Sequence, residues 1–160
     1  MTYLNSEFDN SYMNLALKEA KKAYDAKEVP VGCVIVDRSK GKVISSAHNM
    51  TELYKNPNLH AEMIAIERAC QMSGNKFLFD CDIYITLEPC AMCAYAISNA
   101  KIARVYYAAS DEKQGAVENS TRFYTTKSCF HRPEIYLGIQ KIESEGLITS
   151  FFSNLRKSKI

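Results

Sequence analysis

The sequence has no excess of charge of either sign: its 160 residues carry 20 Lys and Arg against 18 Asp and Glu, a formal net charge of +2. That excludes a strongly basic, non-specific nucleic-acid binder, whose affinity grows with the number of phosphate contacts. It leaves open a protein that reads one small RNA element through a local patch. Long apolar runs are also missing. None approaches the ~18 residues that cross a bilayer, so no membrane partner is expected. The opening MTYLNSEFDNSY lacks a basic stretch followed by an apolar one, the form of a secretory leader. No internal repeat or low-complexity linker breaks the chain, and its length suits one domain over 1–160 with a core that needs no disulfides. A cytoplasmic protein is expected. In a reducing compartment the six cysteines (Cys33, Cys70, Cys81, Cys90, Cys93 and Cys129) are thiols or metal ligands, not a disulfide framework. Only Cys90 and Cys93 are spaced for chemistry.

What is present is a globular composition, with 47% hydrophobic and 24% charged residues. From Phe8 to about Ala26, Met13, Leu17, Ala20 and Tyr24 share one face of a predicted helix. VGCVIVD (Val31 to Asp37) and VISSAHN (Val43 to Asn49), joined by turn chemistry in RSKGK, predict a β-hairpin. A polar loop follows, then a helix from His60 to about Gln71, with Met63, Ile66 and Cys70 on one face. DIYITLE (Asp82 to Glu88) reads as a strand that Pro89 breaks, CAMCAYAISNA as a helix and RVYYAA (Arg104 to Ala109) as a strand. Residues 110–133 give no clear pattern beyond room for a short helix. EIYLGI predicts a last strand and ESEGLITSFFSNLRKSKI a terminal helix. Strands alternating with helices point to an α/β architecture, one sheet covered on both faces.

Two short stretches carry the chemistry. NLHAEM places His60 and Glu62 at a helix start, and LEPCAMC places Cys90 and Cys93 in the first turn of another. One imidazole and two thiolates make a three-ligand zinc set that leaves the fourth tetrahedral position open, as catalytic sites do. In that position a metal lowers the pKa of a water towards ~7. Helix N-termini favour thiolate at both cysteines. Glu62 stands too close to His60 to ligate the same ion comfortably, but can move protons to and from the water and substrate. A zinc clasp without catalysis would need a fourth ligand. By type the candidates are His48, Cys81 and His131, none with ligand-like spacing. His-x-Glu followed by Pro-Cys-x-x-Cys is already the described signature of zinc nucleobase deaminases, bacterial tRNA adenosine deaminase among them.

At these residues the chain resembles the bacterial tRNA-specific adenosine deaminases of the zinc-dependent cytidine and deoxycytidylate deaminase superfamily. The likeness runs nearly end to end: EVPVG (Glu28 to Gly32), Asn49, HAE (His60 to Glu62), TLEPCAMCA (Thr86 to Ala94), Asp111, HRPEI (His131 to Ile135), and SFF before a basic tail. GAVENS and CFHRPEIY are most similar to alphaproteobacterial members. The resemblance implies a cytidine deaminase-like fold, a three-layer α/β/α sandwich around a mixed sheet of about five strands. It implies hydrolytic conversion of the wobble adenosine of a tRNA anticodon to inosine by a homodimer holding one zinc per subunit, with the tRNA anticodon stem-loop as partner.

Carried onto this sequence, His60, Cys90 and Cys93 would ligate zinc and Glu62 would shuttle protons. Asn49 would hydrogen-bond the target nucleotide. Asp111 would lie near the anticodon backbone. Val31 and Leu87 would line the base pocket, Phe152 the path of a flanking nucleotide, and the amides of Ala61 and Cys90 would help hold the base and the water. Without the likeness, Asn49 and Asp111 read as turn or capping residues, one of Phe151 and Phe152 as core, and the RKSK tail as a solvated helix end. Two departures stand out. Asn58-Leu59 replaces the small residues common before the His, which is expected to alter the pocket rim. GAVENS lacks a family glycine, which puts the loop conformation in question. The rival reading is a deaminase of a free base or nucleoside, guanine or cytosine, with the same metal chemistry. A third is a non-catalytic zinc-stabilised RNA-binding subunit, against which the intact Glu62 speaks.

Overall fold

The structure is a computed structural model that describes residues 7–158, with side chains from residue 11 onward. The leader reading of residues 1–6 and Lys159 of the basic tail lie outside the described residues. The elements run α1 (Glu7–Asp25), β1 (Gly32–Asp37), β2 (Lys42–His48), α2 (Ala61–Ser73), β3 (Cys81–Leu87), α3 (Ala91–Asn99), β4 (Arg104–Ala109), β5 (Glu134–Leu137) and α4 (Lys141–Lys157). A short 3-10 turn, Phe123–Thr125, precedes β5. The five strands form one sheet in the order β2-β1-β3-β4-β5. Pairings β1–β2 and β1–β3 are antiparallel, while β3–β4 and β4–β5 are parallel. The sheet is therefore mixed and five-stranded.

The sheet buries both faces because alternate residues of its central strands are apolar in both directions. Cys33, Ile35, Ile83, Ile85, Val105 and Tyr107 pack with Ile64, Ala65, Ala94 and Ile97 of α2 and α3. Val34, Val36, Tyr84, Tyr106 and Ala108 pack with Tyr12, Met13 and Ala16 of α1. On that second face Tyr84, Tyr106 and Tyr136, in register across β3, β4 and β5, stack ring on ring at 4.4 and 4.8 Å between centroids. Helix α4 joins the α1 side: Tyr24 meets Ser150 Oγ at 2.9 Å and the Phe151 ring at 5.8 Å. The result is three layers, α2 and α3 on one side and α1 and α4 on the other. Gly32 permits the close approach of α1, since a Cβ there would stand 1.9 Å from the Ala16 carbonyl oxygen. Among the described residues no helix is long and apolar enough to cross a membrane.

Candidate active site and metal centre

Helices α2 and α3 begin at the same end of the sheet. Their N-caps are His60 and Cys90, both extended and neither using its side chain to cap its own helix. Each side chain is thus available at a helix N-terminus, where partial positive charge favours an anionic ligand. His60 Nδ1 stands 3.7 Å from Cys90 Sγ and 3.5 Å from Cys93 Sγ. The three donor atoms all lie within 4.8 Å of one another. Two sulfurs and one nitrogen around tetrahedral zinc stand about 3.5–3.8 Å apart, from Zn–S near 2.3 Å and Zn–N near 2.0 Å. The donor set fits zinc by type and by spacing. No fourth protein ligand joins it among the described residues. His48 Nδ1 pairs with Glu19 at 2.9 Å, His131 Nε2 bonds the Ile102 carbonyl at 2.6 Å, and Cys81 opens β3 at the other end of the sheet.

The thiols differ in their proton affinity. Hydrogen bonds from Cys93 and His60 pull Cys90 down to about 4 against the cost of its burial. Cys93, donor to Cys90 and itself buried, is pushed far up. The Cys90 thiolate in turn raises His60. Glu62 is 4% exposed, and burial lifts its carboxyl to about 7. A carboxyl there can take and return a proton near neutrality.

His60, Glu62 and Cys90 open onto a cavity of about 780 Å³, with Cys93 buried behind them. Val31, Asn49, His60, Glu62, Leu87, Cys90, Asp111 and Phe152 all line it. Phe151 is buried at 6% and Phe152 is 41% exposed, so the two adjacent rings divide between core and cavity. Arg156, one turn further along α4, reaches the same wall. Asp111 Oδ1 accepts the amides of Lys113 and Gln114, both at 3.0 Å, closing a tight turn at the rim. The Ala61 N–H donates to Asn49 Oδ1 at 2.9 Å, and the residue is fully buried outside the cavity lining. Asn49 thereby positions the start of α2. Leu59 packs against the core.

Sequence reasoning missed two buried carboxylates. Glu88, 3% exposed, accepts amides from Val117 (3.0 Å), Glu118 (2.8 Å) and Asn119 (3.2 Å) on Oε1, and from Asp111 (3.0 Å) and Asn119 Nδ2 (2.7 Å) on Oε2. Burial opposes its charge, yet these donors hold its carboxyl below the usual range. Glu28, 1% exposed, accepts the amides of Glu52 (3.0 Å) and Leu53 (2.8 Å) and the hydroxyl of Thr51 (3.2 Å). The signal was their place inside EVPVG and TLEPC, beside residues already singled out.

Residues 6–109 match the model of the cytidine and deoxycytidylate deaminase zinc-binding region, and the chain belongs to that family of zinc-binding deaminases. It is 52% identical over 144 residues to a tRNA-specific adenosine deaminase of Rickettsia bellii, a match covering 90% of this chain and 99% of the relative. On that likeness the chain is also a member of the tRNA-specific adenosine deaminase family. A solved structure from a study of A-to-I editing by tRNA:A34 deaminases at the wobble position of transfer RNA superposes with a TM-score of 0.83 at 44% identity, over 86% of this chain and 98% of that one. A guanine deaminase from Nitrosomonas europaea superposes with a TM-score of 0.74 at 16% identity, over 95% and 87% of the two chains, a likeness of fold alone.

Proposed function

We infer that this protein hydrolyses the C6 amino group of the wobble adenosine in a tRNA anticodon loop, giving inosine and ammonia. One observation carries the reading: a chain that matches a tRNA-specific adenosine deaminase over 99% of the relative's length sets a buried carboxyl beside a three-donor cluster in one cavity.

His60, Cys90 and Cys93 would hold one zinc, which when bound would supply Lewis-acid activation of a water. Glu62 would take one proton from the attacking water and deliver it to purine N1, then pass the second, from the new C6 hydroxyl, to the leaving amine, so that inosine keeps its N1–H and ammonia departs. Its carboxyl, lifted to about 7, is suited to both directions. Asn49 fixes the Ala61 amide and faces the nucleotide, with Val31 and Leu87 as apolar walls for the purine. Phe152 offers an exposed ring to a flanking base, and Arg156 and Lys157 a positive wall for phosphate. Asp111 shapes the rim beside the ribose. The chain acts as one deaminase domain over 1–160, as a homodimer in the cytoplasm. The exposed ring of Tyr95 is available to the partner subunit.

Zinc-loaded protein incubated with an anticodon stem-loop bearing wobble adenosine is expected to form inosine, while guanine, cytosine and free adenosine stay unchanged. Turnover of a free base beside an untouched stem-loop would instead establish the small-substrate reading.

A further inference from the structure

We propose that Glu28 and Glu88 are positioning residues that set the two loop walls of the catalytic cavity, and through them the binding of the RNA substrate. The substrate clause rests on the function inferred above. Much of the polar lining comes from irregular chain: Asn49 and Thr51 on one side, Ser110 to Gln114 on the other. Neither stretch belongs to the sheet. Each is held by one buried carboxylate.

The chemistry of these anchors requires a full carboxylate. In Glu28 both oxygens face backbone N–H groups, Leu53 on Oε1 and Glu52 on Oε2. In Glu88, Oε1 faces three backbone amides, while Oε2 faces the Asp111 amide and the Asn119 side chain. A Gln in either place must turn its NH₂ towards an N–H donor, leaving part-buried donors opposed and unpaired. Space is set as tightly as charge: a Cβ on Gly115 would lie 2.3 Å from Glu88 Cδ. Glu118 stands where the family glycine is absent, and the loop accommodates it. Its amide bonds Glu88 and its carboxylate accepts the Tyr107 hydroxyl at 2.7 Å.

The test uses the zinc-loaded full chain carrying Glu28→Gln or Glu88→Gln, with amide exchange, zinc content and stem-loop kinetics read together. Loss of a charge-assisted anchor is expected to speed exchange about tenfold or more, at 51–53 in one variant and 111–119 in the other. Zinc content stays unchanged. KM for the stem-loop rises about tenfold, while kcat stays within about threefold. Asn119→Ala removes one donor and should give a smaller effect confined to 111–119. If Glu88→Gln does not fold, Glu28→Gln and Asn119→Ala test the two walls in its place. Unchanged exchange, a rise spread evenly over the chain, or a fall in kcat at constant KM would overturn the proposal. Should wild-type protein leave the stem-loop untouched, the function above fails, while local exchange still decides whether the two carboxylates hold the loops.

Discussion

Two cavities of nearly equal volume, about 780 and 820 Å³, lie at opposite ends of the sheet, and they differ in what the helices bring to them. At one end α2 and α3 begin, so His60, Cys90, Cys93 and Glu62 converge under two helix N-termini. At the other, α2 ends, and the lining includes Lys40, Lys42, Lys76, Asp37, Asp80 and Cys81 with the rings of Phe77 and Phe79. The cysteines register the difference. Cys90 is pulled down to about 4 by its hydrogen bonds, whereas burial pushes Cys81 up to about 11. Cavity size does not select the site. Helix polarity and converging donors do.

That contrast is broken most severely at the cysteines. Cys90→Ala is expected to lose zinc and several kcal/mol of stability, lowering Tm on the order of 10 °C. Cys81→Ala should keep zinc and cost about 1 kcal/mol. Metal analysis with thermal unfolding reads both.

Proton linkage separates Glu62 from Glu88 by sign. In metal-stripped protein the folded state holds the Glu62 proton up to about 7, above the unfolded value near 4.5. The folded state then binds more protons in that window, so this group makes stability fall as pH rises through it. Glu62→Gln should remove up to about 3 kcal/mol of that fall. Glu88, held low, contributes stability that is present above its unfolded value and lost as pH falls through the folded one. Denaturant unfolding between pH 4.5 and 7.5 measures the first, and its acid limb the second.

Glycines sharpen the comparison by a smaller amount. Gly115→Ala should cost about 1–3 kcal/mol by collision with Glu88. Gly74→Ala, at φ +67° with open space around it, should cost about 1 kcal/mol from backbone strain alone. Chemical denaturation separates the two. The exposed rings are compared through substrate binding. Phe152→Ala should raise KM for a stem-loop about tenfold by lost stacking, and Phe79→Ala less than about twofold; steady-state kinetics decide.

Most elements were legible because their signals are local. The β-branched, apolar run Val31–Asp37 and the turn residues of RSKGK predict the hairpin, and β1 and β2 occupy it with ends shifted by about a residue. The zinc donors were legible because each sits in a short fixed spacing. What stayed dark depends on long-range partners. Residues 110–133 have no periodicity, and Ser120 and Arg122 take left-handed backbone at φ +37° and +45°. Much of this segment is held by Glu88, more than twenty residues away in sequence. The bond from the Ala61 amide to Asn49 stayed dark for the same reason: its acceptor lies across a loop whose closure no local pattern announces.

The central claim is that the cavity beneath the helix N-termini works by proton transfer through Glu62 beside a metal held by other residues. Zinc content and inosine formation measured on the same preparation of Glu62→Gln test it most directly. The expected result is one zinc per chain with deamination reduced about 10²- to 10⁴-fold. Deamination near the wild-type rate with zinc in place would contradict it.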